Sequence, residues 1–189
     1  MTGTLTLCFL CGAASVACAQ ARDTTVKAGV AGAGAPAPAA QAPASDWLTW
    51  DAATSTATFK LVAGAPGAKS PFNFDGYTDG EATLVVPGGA HVVVNFVNED
   101  GTPHSAEVIT DGKAPIPNMG GDPAIPAAYT RDVTQGLAQF GKDVMRFTVP
   151  DQGEYRIFCG VPGHGLSGMW IRFRVDPAAK VASFGPTKP

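Results

Sequence analysis

The sequence predicts an all-β protein, a Greek-key β-sandwich preceded by a disordered N-terminal leader. Three observations support this class. Short segments alternate apolar and polar residues with a period of two, Gly and Pro turns separate them, and no long segment shows helical periodicity. The 189 residues include 23 Gly and 16 Pro, as expected for a turn-rich β protein rather than a helical bundle.

Seven runs have the character of strands, and the last has the clearest alternation: Met169, Ile171, Phe173 and Val175 face one way. The runs cover residues 58–62, 82–86, 92–97, 104–109, 144–149, 155–159 and 169–175. Residues 111–139 break the pattern with a Pro- and Gly-rich excursion, in which a helical turn is expected near residues 134–140.

Composition and charge narrow the function classes. Apolar residues make up 45% of the chain and charged residues 15%, so one main domain can bury a core. The net charge of −3 and the lack of a basic stretch argue against nucleic-acid binding. No segment reaches the roughly 18 continuous apolar residues of a spanning helix, so no transmembrane helix is expected in the mature chain. Separately, the protein is predicted to be a monomer.

The N-terminus has the character of an export signal. Residues 1–19 form an apolar stretch that ends in the small-x-small site Ala17-Cys18-Ala19. Residues 20–45 are rich in Ala, Pro and Gly and form a linker, residues 46–178 form the folded domain, and residues 179–189 form a tail. Export places the protein in the periplasm or at the outer face of the cell membrane. Lipid attachment at Cys18 is an alternative to cleavage.

The loop FCGVPGHGLSGMW carries the chemistry. Cys159, His164 and Met169 are spaced as Cys-x4-His-x4-Met, with nine residues between the Cys and the Met. A thiolate, an imidazole and a thioether together favour copper, and a His2Cys set with a weak axial Met is the blue-copper site. Such a site requires a second His from elsewhere in the chain.

Two histidines remain, and His104 is the better candidate. It follows the turn-forming stretch NEDGTP at the start of a strand-like run, where the sheet would hold it while it faces a surface site. His91 stands at the entrance of another strand and is interpreted as a solvated strand-edge side chain.

The loop, together with TPHS upstream, resembles the cupredoxins, most closely those of the sulfocyanin and rusticyanin type. The segment PFNFDGYTDGEATLVVPGGAHVVVNFVNEDGTPHS extends the resemblance, which covers most of residues 55–176. It implies a cupredoxin-like sandwich that binds one mononuclear type 1 copper through His104, Cys159, His164 and Met169. It also implies an electron carrier rather than an enzyme, with redox partners such as cytochromes or a terminal oxidase.

Cysteine usage agrees with a metal ligand. Cys8, Cys11 and Cys18 all lie in the export segment, so Cys159 is the only thiol left after cleavage. An unpaired cysteine in an exported protein needs an explanation, and copper ligation supplies one. The alternative is a purely structural role, in which Cys159 is a buried, unreactive side chain.

The resemblance also implies an electron route and a setting for the metal. Electrons are expected to leave through the His164 ring edge, within an apolar patch of Val161, Pro162 and Leu166. Six residues of the excursion extend this patch or simply pack there: Pro115, Ile116, Pro117, Met119, Ile125 and Pro126.

Ser105 resembles a serine that hydrogen-bonds near the thiolate in rusticyanin-like proteins. Phe96, Phe158 and Trp170 are expected to provide an apolar surround, and together these features predict a high reduction potential.

Three other interpretations stay open. A periplasmic copper carrier without an electron-transfer role would use the same metal, although such proteins more often have Met- or His-rich clusters. A thiol enzyme with a Cys159/His164 pair requires a third orienting group and a cleft. A zinc site of two His and one Cys would leave Met169 idle.

Overall fold

The computed structural model describes residues 46–112 and 122–188. Its strands are β1 (Leu48–Asp51), β2 (Thr56–Ala63), β3 (Ala82–Pro87), β4 (His91–Asn98), β5 (Glu107–Thr110), β6 (Lys142–Thr148), β7 (Gly153–Phe158), β8 (Trp170–Asp176) and β9 (Ser183–Pro186). In the described part of the chain the only helical element is a single 3-10 turn, Gly165–Ser167, between β7 and β8.

The strands form two sheets. One has the order β1-β2-β4-β6 and the other the order β5-β7-β8-β3-β9. The β2/β4 and β3/β8 pairs are parallel and the remaining pairs are antiparallel. Consecutive strands β3 and β4 lie in different sheets, so the chain crosses the sandwich at the turn after Pro87. The predicted all-β Greek-key sandwich is confirmed.

The core lies between the sheets, where the period-2 pattern places alternate side chains. In β8, Ile171, Phe173 and Val175 are buried, as the alternation predicts. Val94 and Phe96 of β4 face them from the other sheet as part of the same buried cluster. Each fully buried side chain of this size contributes about 1.5–3 kcal/mol to stability. This rigid core is the platform that carries the loops at its ends.

The sequence patterns did not predict two of the strands. β1 is short, and β9 lies within the segment expected to be a C-terminal tail. Phe184 of β9 pairs with Leu84 of β3, and its ring packs 4.8 Å from that of Phe59. The end of the chain is therefore part of the sandwich.

The excursion also differs from expectation. Residues 134–140 contain turns and no helix. Of the residues expected either to extend the apolar patch or to pack within the loop, Ile125 is buried in the core and Pro126 is exposed. Pro115, Ile116, Pro117 and Met119 lie outside the described residues, as do residues 1–45 with the expected signal peptide, linker and Cys18. Within the described ranges, none of the helical structure is long and apolar enough to span a membrane.

Candidate metal centre

The loop between β7 and β8 is closed at its base by backbone hydrogen bonds. The N–H of Cys159 donates to the carbonyl of Met169 (3.0 Å), and the N–H of Met169 donates to the carbonyl of His164 (3.1 Å). Gly165 lies directly under the ring of Phe158, and a Cβ atom there would collide with that ring. Glycine at this position lets the loop fold back over the sheet, which brings His164 above Cys159.

His104 lies on the segment between β4 and β5 and is tied to a distant loop. Its N–H donates to the carbonyl of Leu137 (3.1 Å), and the N–H of Leu137 donates back to the carbonyl of His104 (2.7 Å). The side-chain amide of Asn98 donates to the carbonyls of Thr102 and Leu137, both at 2.8 Å. His104 is therefore fixed by an isolated bridge rather than by a strand, because β5 begins only at Glu107.

Three donor atoms converge at this end of the sandwich. The Nδ1 atoms of His104 and His164 are 3.1 Å apart, and Nδ1 of His164 is 3.7 Å from Sγ of Cys159. All three ligand atoms lie within 4.8 Å of one another. His104 and Cys159 are fully buried, and His164 is 9% exposed. Among the described residues this is the one cluster of three or more His, Cys, Asp or Glu side chains with such spacing.

Asp100 orients the His104 ring. Its Oδ2 lies 3.1 Å from Nε2 of His104, so Nε2–H donates to the carboxylate and Nδ1 keeps a free lone pair. Burial lowers the pKa of His104 and outweighs the opposing effect of Asp100. Asp100 was not among the sequence-predicted site residues, although its position four residues before His104 is a usable signal.

The sulfur of Cys159 receives a hydrogen bond from the backbone. The N–H of Ser105 donates to Sγ at 3.5 Å, and Ser105 Oγ lies 3.8 Å from the same sulfur. The Ser105 hydroxyl donates its only proton to the carbonyl of Val133 (2.6 Å) and accepts from the N–H of Gly160 (3.1 Å). Ser105 thus lies where the resemblance implies, and its amide rather than its hydroxyl reaches the sulfur.

The protonation state of the cluster suits a cation. Burial, and then the neighbouring His104, lowers the pKa of His164, so both imidazoles are neutral at pH 7. Burial raises the pKa of the Cys159 thiol despite the hydrogen bond from the backbone N–H of Ser105. Two buried, neutral imidazoles whose Nδ1 atoms lie 3.1 Å apart, with a thiol beside them, fit a metal that displaces the thiol proton. Two imidazoles and a thiolate are the copper-binding equatorial set.

Met169 and His91 lie in contrasting places. Met169 is fully buried in the same cluster as Cys159, directly before β8. His91 is exposed at the start of β4, where its Nδ1 pairs with Thr148 Oγ1 at 3.0 Å. Asn98, at the other end of β4, holds the His104 segment. His91 therefore lies apart from the donor cluster.

The aromatic surround differs from expectation. Trp170 stacks with the guanidinium groups of Arg156 (4.1 Å) and Arg172 (5.8 Å), so its surroundings are charged rather than apolar. Phe72, which the sequence analysis missed, packs with its ring centroid 4.6 Å from that of His164 and 6.4 Å from that of His104. A contact between such distant segments carries no local sequence signal.

Several known proteins are similar to this chain. Sulfocyanin from Sulfolobus acidocaldarius is 27% identical over 147 residues, which cover 74% of this chain and 70% of that protein. Rusticyanin from Thiobacillus ferrooxidans is 29% identical over 65% of this chain and 82% of its own, with a TM-score of 0.45. Auracyanin A, a blue copper protein from Chloroflexus aurantiacus, is 22% identical over 64% of this chain and 99% of its own, with a TM-score of 0.46.

The family model of the sulfocyanin (SoxE) domain matches residues 43–182, which include β1 to β8 and the whole donor cluster. The chain therefore belongs to the sulfocyanin family of blue-copper electron-transfer proteins, with one type 1 copper as cofactor and with His104, Cys159 and His164 in place for it.

Proposed function

We propose that this protein is an exported one-electron carrier whose copper is held by His104, Cys159, His164 and Met169. The convergence of two imidazole nitrogens and one sulfur within 4.8 Å, in a buried site, carries the proposal. Met169, which is buried at the base of the same loop, would provide the fourth donor. Bound copper supplies the Cu(II)/Cu(I) couple.

The protein contributes a rigid ligand set. The Leu137 bridge fixes the backbone of His104, Asp100 fixes its ring, and the hydrogen bond from Cys159 to Met169 closes the loop. Ligands held in this way would keep a bound copper ion in a similar arrangement in both oxidation states. Such a site favours electron transfer over chemistry on a bound substrate, because little rearrangement accompanies each change in charge.

His164 provides the route between the site and a partner. It is the least buried of the three clustered donors, and its own loop carries Leu166, which is 55% exposed. Pro162 is exposed and Val161 is half-buried on the same loop. These apolar side chains suit brief docking of a redox protein such as a cytochrome or a terminal oxidase in a respiratory chain.

The location follows from the N-terminal segment and from cysteine usage. Removal of residues 1–19 leaves Cys159 as the only thiol, and a metal-bound thiolate is protected in an oxidising compartment. The periplasm or the outer face of the cell membrane meets this condition, with Cys18 as an alternative lipid anchor. The protein is proposed to act as a monomer.

Electron transfer and copper carriage predict different behaviour on reduction. The Cu(II)-loaded protein is mixed with a reduced c-type cytochrome in a stopped-flow instrument, and the visible band of the copper–thiolate site is followed. Rapid bleaching, full recovery on reoxidation and retention of copper against a Cu(I) chelator over repeated cycles support an electron carrier. Loss of the metal to the chelator on the first reduction would instead indicate a copper carrier.

A further inference from the structure

Glu107 is a buried carboxyl beside the metal centre. It is the first residue of β5, three positions after His104, and its register partner on β7 is Phe158, which precedes Cys159. The residue is 1% exposed. A Cβ atom placed on Gly160 would lie 2.8 Å from Oε1 of Glu107, so the carboxyl rests against the backbone directly after Cys159.

The carboxyl lacks the partners that a buried charge needs. Among the described residues, Oε1 of Glu107 has no hydrogen-bond partner. Burial, and then the like charge of Asp122, raises the pKa of Glu107 to about 7. Burial is the main cause of the raised pKa of the Cys159 thiol, and the negative charge of Glu107 raises that pKa further.

The other ionisable neighbours leave the carboxyl uncompensated. Tyr129 bridges the backbone of Glu107 and contributes a phenol that is 46% exposed. Arg156, the next charged residue of β7 on this face, is paired with Asp111. No cation of the described residues offsets the charge of Glu107.

Burying a carboxylate without a compensating partner lowers the stability of the folded state, and packing does not require a carboxylate at this position. Ile109, two residues further on the same face of β5, is a buried hydrocarbon, and an apolar side chain would serve equally at residue 107. Buried ionisable groups without partners cluster at functional sites, where their protonation is part of the mechanism.

We propose that Glu107 sets the reduction potential of the copper centre by exchanging a proton with solvent when the metal changes oxidation state. The inference rests on the proposed electron-transfer function. When one electron enters the site, one proton from water binds a carboxylate oxygen of Glu107, and both leave on reoxidation. The more positive oxidised site favours the carboxylate, and the reduced site favours the acid.

The potential of the copper-loaded full-length protein is measured against pH for the wild type and three variants. The wild-type potential is expected to fall as pH rises, by up to about 59 mV for each tenfold drop in proton concentration. Glu107→Gln should give a pH-independent potential equal to the low-pH wild-type value, and Glu107→Asp should restore the dependence. Glu154→Gln, which removes an exposed carboxylate of β7, is the matched control and should behave as the wild type.

A second measurement does not depend on any variant's stability. Infrared difference spectra of the wild-type protein, reduced minus oxidised, should show a carboxylic-acid C=O band gained on reduction. That band should be absent from Glu107→Gln and present in Glu154→Gln.

The outcomes separate the two claims. A reversible couple whose potential is flat with pH, or a slope that persists in Glu107→Gln because a ligand imidazole titrates instead, overturns the role of Glu107 and leaves the electron carrier standing. Absence of the C=O band from the wild type does the same. Failure to form a copper–thiolate site at all overturns both.

Discussion

The surroundings of β4 place two histidines in opposite environments. His91 begins the strand, and its exposed side chain pairs through Nδ1 with the hydroxyl of Thr148. Beyond the other end, His104 is fully buried, pairs with Asp100, and points Nδ1 at a second imidazole 3.1 Å away. The same side chain is thus a solvated surface group in one place and part of a preorganised metal site in the other.

The comparison shows what makes a ligand. A donor atom becomes useful when another group fixes its tautomer, when burial keeps it neutral and when other donors converge on the same point. His104 meets all three conditions, whereas the side chain of His91 is exposed and, in the described part of the chain, lies outside the cluster of converging donors.

Replacing each of the two histidines by alanine gives the largest expected difference between variants. His104→Ala should abolish the visible copper–thiolate absorption, because the trigonal donor set loses one member. His91→Ala should leave that absorption and the copper affinity unchanged. Titration of both variants with Cu(II), followed by visible spectroscopy, checks the pair. Loss of colour in His91→Ala would reverse the assignment.

Removing the group that orients His104 should weaken the site without destroying it. Asp100→Asn keeps the shape of the side chain but removes the negative charge that holds Nε2–H of His104. The copper affinity is expected to fall about 10- to 100-fold. Competition with a chelator of known affinity measures the change, and Asp151→Asn, at an exposed position between β6 and β7, provides a charge-matched control. An unchanged affinity would show that the backbone bridge alone orients His104.

Asp75 is a buried carboxyl outside the proposed set of metal ligands. It tests how much the burial of an ionisable group lowers the free energy of unfolding. Burial raises the pKa of Asp75 to about 8, against the hydrogen bond from the N–H of Val62. The unfolded chain loses this proton near the ordinary aspartate pKa of 3.8, whereas the folded chain keeps it up to about pH 8. The free energy of unfolding should therefore fall as pH rises from about 4 to 8, by about 2–5 kcal/mol.

Asp75→Asn should remove the share of that decline that Asp75 contributes, since the amide can still accept from Val62 and tolerates the left-handed backbone at φ 53°. The smaller share of Glu107, whose pKa burial also raises, should remain. Denaturant unfolding of the metal-free protein at several pH values measures it. Asp46→Asn, at an exposed position, should retain the wild-type profile. A decline that persists unchanged in Asp75→Asn would assign it to another group.

Ser105 gives the smallest effect on the metal site. Ser105→Ala keeps the backbone N–H that reaches the Cys159 sulfur, so the visible band should remain. It leaves the carbonyl of Val133 and the N–H of Gly160 without partners, which should lower the free energy of unfolding by about 1–3 kcal/mol. Bleaching of the band would show that the hydroxyl acts on the sulfur directly.

The sequence predicted those features that carry a local period or a dense motif. The alternation of β8 and of β4, and the Cys-x4-His-x4-Met spacing, identified core strands and the loop in which Cys159 and His164 meet. β9 was missed because Ser183–Pro186 contains Gly and Pro and shows no alternation, and its place is set by pairing with β3.

The remaining features of the site depend on contacts through space. Phe72 reaches His164 from a distant earlier segment of the chain, and the Leu137 bridge to His104 comes from the irregular excursion. Trp170 was expected to provide part of an apolar surround for the metal. It is stacked by Arg156 and Arg172 instead, since strand alternation turns it to the opposite face from its neighbour Ile171.

The most direct test of the central claim is the visible absorption spectrum of the Cu(II)-loaded full-length protein beside that of Cys159→Ser. A sulfur at the meeting point of two imidazoles predicts an intense thiolate-to-copper band in the wild type and its complete loss in Cys159→Ser. A colourless wild-type complex, or a band that survives the loss of the sulfur, would contradict a blue-copper centre at this end of the sandwich.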